Sequence, residues 1–143
     1  MPAVYNSKHG IVSRMPQELY MSFVDMRNFV RMLPADKQEG VQADFDTLTA
    51  TVRGFTIGVR VTGRVPYSRI TIEDNGAPFQ FCITLHFDDA GEPGKTDFHI
   101  AASADLNLVM KAMLGNRIQQ ALDKIVDGLV DASEGRMPQG FSL

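Results

Sequence analysis

Apolar and polar residues alternate with different periods in different parts of the chain, and each period predicts an element. Val4 to Val12 is a short mixed segment that predicts one strand. After Ser13, Pro16 suits the first turn of a helix, where its missing N–H is not needed, and Glu18 complements the positive end of the helix dipole. Leu19, Phe23, Met26, Phe29 and Leu33 then recur at helical spacing until Pro34 stops the run. A bend near Asp25 divides this stretch into two short helices.

From Val41 to Asp105 the period is two. Leu48, Ala50 and Val52 alternate with Thr49, Thr51 and Arg53 before a tight turn at Gly54. Phe55, Ile57, Val59 and Val61 alternate with Thr56, Gly58, Arg60 and Thr62, and the same count puts Arg64 beside Arg60 on the polar face. Glycine inside a strand is unfavourable unless the backbone bends or another group approaches closely, and Gly58 predicts a bend or bulge on the outer face. Ile70 and Ile72 follow Pro66, and Asp74-Asn75-Gly76 is a strong turn signal. Phe79, Phe81, Ile83, Leu85 and Phe87 alternate with Gln80, Cys82, Thr84 and His86; beyond the Asp88–Gly94 loop, Phe98, Ile100, Ala102 and Ala104 complete the series. Strands with one apolar face predict an antiparallel sheet wet on one side, of about seven strands. A long helix from about Asn107 to Ala132 carries Leu108, Met110, Met113, Leu114, Ile118, Leu122, Ile125 and Leu129 as a stripe, and Glu134 to Leu143 read as a frayed tail.

A one-sided sheet must cover its apolar face, and the final helix is the only element long enough to do so. The predicted fold class is therefore α+β: a curved antiparallel sheet gripping a long C-terminal helix, with two short helices after the first strand. One domain over residues 1–143 accommodates it.

Composition narrows the functions. Net charge is −3 with no Lys/Arg run, so nothing favours nucleic acid or an anionic membrane surface. The lone Cys82 cannot form an internal disulfide, which suits a reducing compartment. Met1 to Gly10 has no apolar leader, and no apolar stretch approaches the ~20 residues of a membrane span. The expected location is the cytoplasm.

The order of elements, together with Tyr5-Asn6-Ser7-Lys8, Asp25-Met26-Arg27-Asn28-Phe29, Leu33-Pro34-Ala35-Asp36-Lys37, Phe55-Thr56-Ile57-Gly58-Val59-Arg60, Pro78-Phe79, Ala104-Asp105-Leu106-Asn107 and Leu122-Asp123-Lys124, resembles small uncharacterised bacterial members of the START-like, or SRPBCC, helix-grip superfamily. That superfamily includes polyketide cyclases, plant pollen-allergen-type carriers and lipid-transfer domains, and the resemblance covers nearly the whole chain. It implies a cavity between sheet and long helix that takes apolar or amphipathic ligands, lipid-like or polyketide-like. Its cyclase and hydrolase members use acid/base residues in that cavity; the resemblance places none of them on this chain.

The candidate ligand-binding set is Ile57, Val59, Phe79, Phe81, Ile83, Phe98, Ile100 and Ala102, facing Met110, Met113 and Leu114 on the long helix. Methionine suits an adaptable pocket, and small Ala102 and Ala104 leave room beside the helix. The same residues also describe a filled core. His9 shares parity with Tyr5 and Ser7, so an inward face would make Ser7 and His9 a polar corner of the pocket, unless a bulge at Gly10 breaks the count. His86 and His99 fall on the polar face, with simple pairing placing His86 near Asp97 and His99 near Thr84. Arg27 can pair with Asp25 or Asp36, and Asp105 reads as a cap or turn residue of the long helix.

Asp44 with Asp46, and Asp88, Asp89 with Glu92, read as solvated turns without calcium-loop spacing. No zinc-ligand spacing, nucleophile elbow or nucleotide-phosphate loop occurs, so neither a metal nor a cofactor is expected. The leading expectation is binding or transport of an apolar or amphipathic small molecule. The alternatives are a cyclase/dehydratase-type enzyme using His9 with Ser7 or Asp25, and a protein-interaction module on the polar sheet face or edge.

Overall fold

The computed structural model describes residues 3–32, 38–52, 55–76 and 79–135. The expected stop at Pro34, Asp36, the Gly54 turn and most of the tail lie outside them. Eight strands form one antiparallel sheet: β1 (Ala3–Asn6), β2 (Gly10–Val12), β3 (Val41–Ala43), β4 (Thr47–Val52), β5 (Phe55–Val65), β6 (Arg69–Asp74), β7 (Phe81–Asp89) and β8 (Thr96–Ala104). Their order is β1-β8-β7-β6-β5-β4-β3, with β2 also paired to β8. The helices are α1 (Pro16–Phe23), α2 (Arg27–Met32) and α3 (Leu108–Ser133). The α+β class, the two early helices and the long final helix are as the periodicity predicts.

The predicted first strand is split by a bulge. Tyr5 lies opposite Ala102 and Asn6 opposite Ala101, whereas Gly10 lies opposite Phe98. Ser7 closes the gap: its N–H donates to the Ile100 carbonyl and its Oγ accepts from the Ile100 N–H, both at 2.8 Å. Lys8 and His9 are thus two residues set against His99 alone.

A second irregularity lies in β5. Val61 pairs with Ile72 and Gly63 with Thr71, so Thr62 is skipped and Arg64 stands opposite inward-facing Ile70. Arg64 therefore leaves the polar face that simple alternation assigned to it. Its guanidinium donates to the Val24 carbonyl at 2.9 and 3.2 Å and to the Phe45 carbonyl at 3.1 Å, and pairs with Asp46 at 2.8 Å. These bonds tie the α1–α2 joint to the sheet. The joint itself is closed by Asp25, whose carboxylate accepts from the Arg27 N–H at 2.9 Å and pairs with its guanidinium at 2.7 Å.

α3 starts at Asn107, whose side chain accepts from the Met110 N–H at 2.8 Å. Asp105 is not that cap; its N–H donates to the Gln80 carbonyl at 2.8 Å beyond the end of β8. The core fills the space between α1, α2, β6–β8 and the later turns of α3. Met26, Ile70, Phe98, Ile100, Val12 and Val126 are fully buried there. Phe23 stacks on Phe87 and Phe98 with centroids 6.1 and 6.2 Å apart. Among the described residues no helix is long and apolar enough to cross a membrane.

Candidate functional site

The two halves of α3 meet the sheet differently. From Gln119 onward the helix is pinned at the β1–β2 bulge: Gln119 donates to the Asn6 carbonyl at 2.7 Å, Asp123 accepts from the Lys8 N–H at 2.7 Å, and Asp127 pairs with the Lys8 ammonium at 2.6 Å. Gly10 lets this half press onto β2, since a Cβ there would stand 2.6 and 2.8 Å from methyl groups of Val126 and Val130. Leu122, Val126 and Gly128 are buried. No described residue of the first ten in α3 reaches that class, and Leu108, Val109 and Met113 are exposed.

The predicted ligand-binding residues separate along the same division. Phe98 and Ile100 belong to the filled core, and Val59, Ile83 and Ala102 pack against it while partly exposed. Phe81 at the start of β7, Phe79 in the bend before it rather than in the strand its parity predicted, and Met110 and Leu114 on α3 are half-buried. Ile57 shares the inner face with Val59 but lies toward the β3 edge and is 37% exposed. Met113 is 68% exposed, so the reading that turned it toward Phe81 and Phe98 is corrected: the sequence stripe is wider than the face α3 presents to the sheet. A half-covered apolar surface therefore remains at one end, bounded by Phe79, Phe81, Val59 and Ile83.

Tyr5 carries a polar atom into this region. It lies opposite Ala102 on the inner side, and its hydroxyl reaches α3, 3.3 Å from where a Cβ on Gly115 would stand. That hydroxyl is buried and has no hydrogen-bond partner. A buried phenol normally finds one, so among the described residues this is the polar group the interior leaves open. Sequence gives Tyr5 its parity with Ser7 and His9 and its place in the Tyr5-Asn6-Ser7-Lys8 segment; its orphaned state depends on how close α3 comes and has no signature in the sequence.

The predicted polar corner does not form as a pair. Ser7 is buried and inward, but its Oγ is occupied by the Ile100 N–H and the Lys8 carbonyl. The bulge turns His9 outward, where its ring is 59% exposed and its Nδ1 lies 2.9 Å from Asp97. On that outer face His86 pairs with His99 and Asp88 with Asp97, two residues out of the predicted register because β7 runs on to Asp89 and the β7–β8 connection is shorter than simple pairing assumed. His86 stacks on one side of His99 at 4.4 Å and His9 on the other at 4.2 Å. Burial, and secondarily the two neighbouring imidazoles, push the His99 pKa down.

Other acidic groups behave as turn residues. Asp44 accepts from the N–H groups of Asp46 and Thr47 and from the Thr47 hydroxyl, which hold its carboxyl below the usual range. The Arg27 guanidinium does the same for Asp25. Where β8 runs on to α3, an open depression of about 570 Å³ joins inner-face Phe81 to an outer row of Arg60, Glu73, Cys82 and Ser103. Burial, then the nearby Glu73 carboxylate, push the Cys82 thiol up, which makes it a poor nucleophile.

No family model and no curated protein sequence matches the chain. Solved structures do. A Thermobifida fusca protein determined by NMR is 10% identical with a TM-score of 0.71, covering 92% of this chain and 93% of that one. A Bacillus thuringiensis protein is 12% identical with a TM-score of 0.67, covering 92% and 99%. A point mutant of norcoclaurine synthase from Thalictrum flavum, in complex with a transition-state analogue, is 12% identical with a TM-score of 0.63, covering 94% and 96%. At such identities the likeness is one of fold, and it agrees with the helix-grip arrangement.

Proposed function

We propose that this protein binds an apolar or amphipathic small molecule, lipid-like or polyketide-like, between the half-covered end of the sheet and the first turns of α3. The observation that carries this reading is the buried, unpartnered Tyr5 hydroxyl beside Gly115, next to an apolar surface that α3 covers only in part. A ligand lying on Phe79, Phe81, Val59 and Ile83 gains from removing apolar area from water, about 25 cal/mol per Å². A single acceptor on it would satisfy the phenol and fix its orientation. Membership of the START-like/SRPBCC superfamily is part of the proposal, supported by the shared fold and by a structure of that fold, norcoclaurine synthase, in complex with a transition-state analogue.

The cyclase/dehydratase alternative needs an acid/base pair facing the interior. His9 points outward, the Ser7 hydroxyl is engaged and Asp25 is paired with Arg27, so the residues first considered for it are committed elsewhere. The interaction-module alternative has one observation in its favour, the exposed Leu108, Val109 and Met113.

The test is titration with an apolar fluorophore, followed by competition with a fatty acid and with a nucleotide. Saturable binding displaced by the fatty acid alone supports the reading. Absence of saturable binding, or displacement by the nucleotide alone, overturns it. Native mass spectrometry of protein purified from its own host would name the ligand class. Concentration-dependent self-association lost in Val109→Ser, with no fluorophore site, would favour the interaction module.

A further inference from the structure

Three imidazoles and two carboxylates gather on the outer face of the sheet, on the opposite side from the interior just described. His86 and His99 are directly opposed across β7 and β8 with rings 1° from parallel. The β1–β2 bulge adds His9 to the far side of His99, and Asp88 and Asp97 oppose each other one step along the same strands. Arg69 flanks the row from β6, opposite His86.

We propose that His9, Asp97 and His99 form a binding site for one divalent transition-metal ion of the zinc type. One ligand atom from each of these residues lies within 4.8 Å of the others. Imidazole nitrogen and carboxylate oxygen hold zinc at about 2.0–2.2 Å, so the three atoms need to close by about 1–1.5 Å. His9 provides the movement. Its ring is the most exposed of the three, at 59%, and it sits on the bulge. It must tilt out of the stack, because two rings packed face to face cannot aim in-plane lone pairs at one ion.

His99 is already set for the role. Its Nδ1 is buried without a hydrogen bond and 3.8 Å from the Asp88 carboxylate, so a small closure would let Asp88 accept Nδ1–H and steady the ring while Nε2 faces the ion. Asp97 already meets His9 at 2.9 Å, so an ion would replace a hydrogen bond between two of its own ligands. Two imidazoles and one carboxylate select zinc, cobalt, nickel or copper over magnesium or calcium, and three protein ligands leave a fourth position for water. Linear spacing hides the site, since its ligands come from residues 9, 97 and 99 and only the bulge brings the first to the other two.

The experiment uses the full chain, stripped with a chelator and titrated with zinc chloride at neutral pH, alongside cobalt(II) followed by its visible spectrum. One equivalent of zinc and a cobalt spectrum of low coordination number are expected. His9→Gln and Asp97→Asn should each weaken zinc binding by about tenfold or more. His9 is exposed, so His9→Gln should keep the parent melting temperature, which separates a lost ligand from a lost fold. Acidification below the imidazole range should release the metal. No saturable binding, or binding unchanged in both variants, overturns the site; so does loss in His86→Gln with none in His9→Gln.

Discussion

The hydroxyl of Tyr5 stands against Gly115: a Cβ on that glycine would lie 3.3 Å from the oxygen, and nothing bonds to it. Tyr5→Phe removes an unsatisfied polar atom without changing the ring, so the ligand-free protein should become more stable, by up to about 1 kcal/mol. A ligand with a hydrogen-bond acceptor should bind the same variant about five- to tenfold more weakly. Denaturant melts of stripped protein and a parallel ligand titration read the two signs. A destabilised Tyr5→Phe with unchanged binding would show that the hydroxyl already has a partner.

The unequal seating of α3 makes a second expectation. Leu122 is buried in the pinned half, and Leu122→Ala should cost about 2–5 kcal/mol. Met113→Ala in the first turns should stay within about 0.5 kcal/mol. Hydrogen exchange should be faster in residues 108–117 than in residues 118–130. Equal protection along the helix, or a large loss in Met113→Ala, would mean that the first half is as firmly packed as the second.

The period-two and helical patterns were enough to place every long element, because each buries one continuous apolar face. What they misplaced follows from two inserted residues. Alternation puts Tyr5, Ser7 and His9 together, but the bulge against His99 sends His9 outward; alternation puts Arg64 beside Arg60, but skipping Thr62 turns it toward Val24. Gly10 flags the first bulge without fixing which residue it turns outward, and nothing local marks the second, because one extra residue changes the face of everything after it while leaving the local composition ordinary. Met113 failed for a different reason: a stripe wide enough to be half the helix does not say which half is covered. The histidine stack was hidden by the length of the β7–β8 loop, which sets the register of His86 against His99.

Gly58 was legible as a constrained position, and the structure supplies the cause. The Asn75 N–H donates to the Gly58 carbonyl at 2.8 Å, and the Asn75 backbone crosses so closely that a Cβ on Gly58 would run into its carbonyl oxygen. The β5 bulge itself lies further along, between Val61 and Gly63. Because the obstructing atom is backbone, Gly58→Ala should cost about 1–3 kcal/mol by displacing the Asp74-Asn75-Gly76 turn. Urea unfolding measures this, and an unchanged midpoint would mean that the turn is free to shift.

The stacked imidazoles make stability depend on pH, with a sign that can be worked out. Folding depresses the His99 pKa below its ordinary 6.5, through burial first and then through His86 and His9; Asp88 and Asp97 oppose the shift, and Arg69 lies across from His86. In the window between the depressed value and 6.5 the unfolded chain binds the proton more readily than the folded one. Stability is therefore full above the window, falls as pH drops through it, and loses nothing further from this group below the folded-state pKa. In chelator, so that no metal competes, the parent should be less stable at about pH 5.5 than at about pH 7.5. His99→Gln should shrink that difference. His86→Gln should shrink it in part, by removing one neighbour that lowers the pKa, and Asp88→Asn should enlarge it, by removing one that raises it. Denaturant midpoints at the two pH values decide the matter: an acid loss as large in His99→Gln as in the parent would place the responsible group elsewhere.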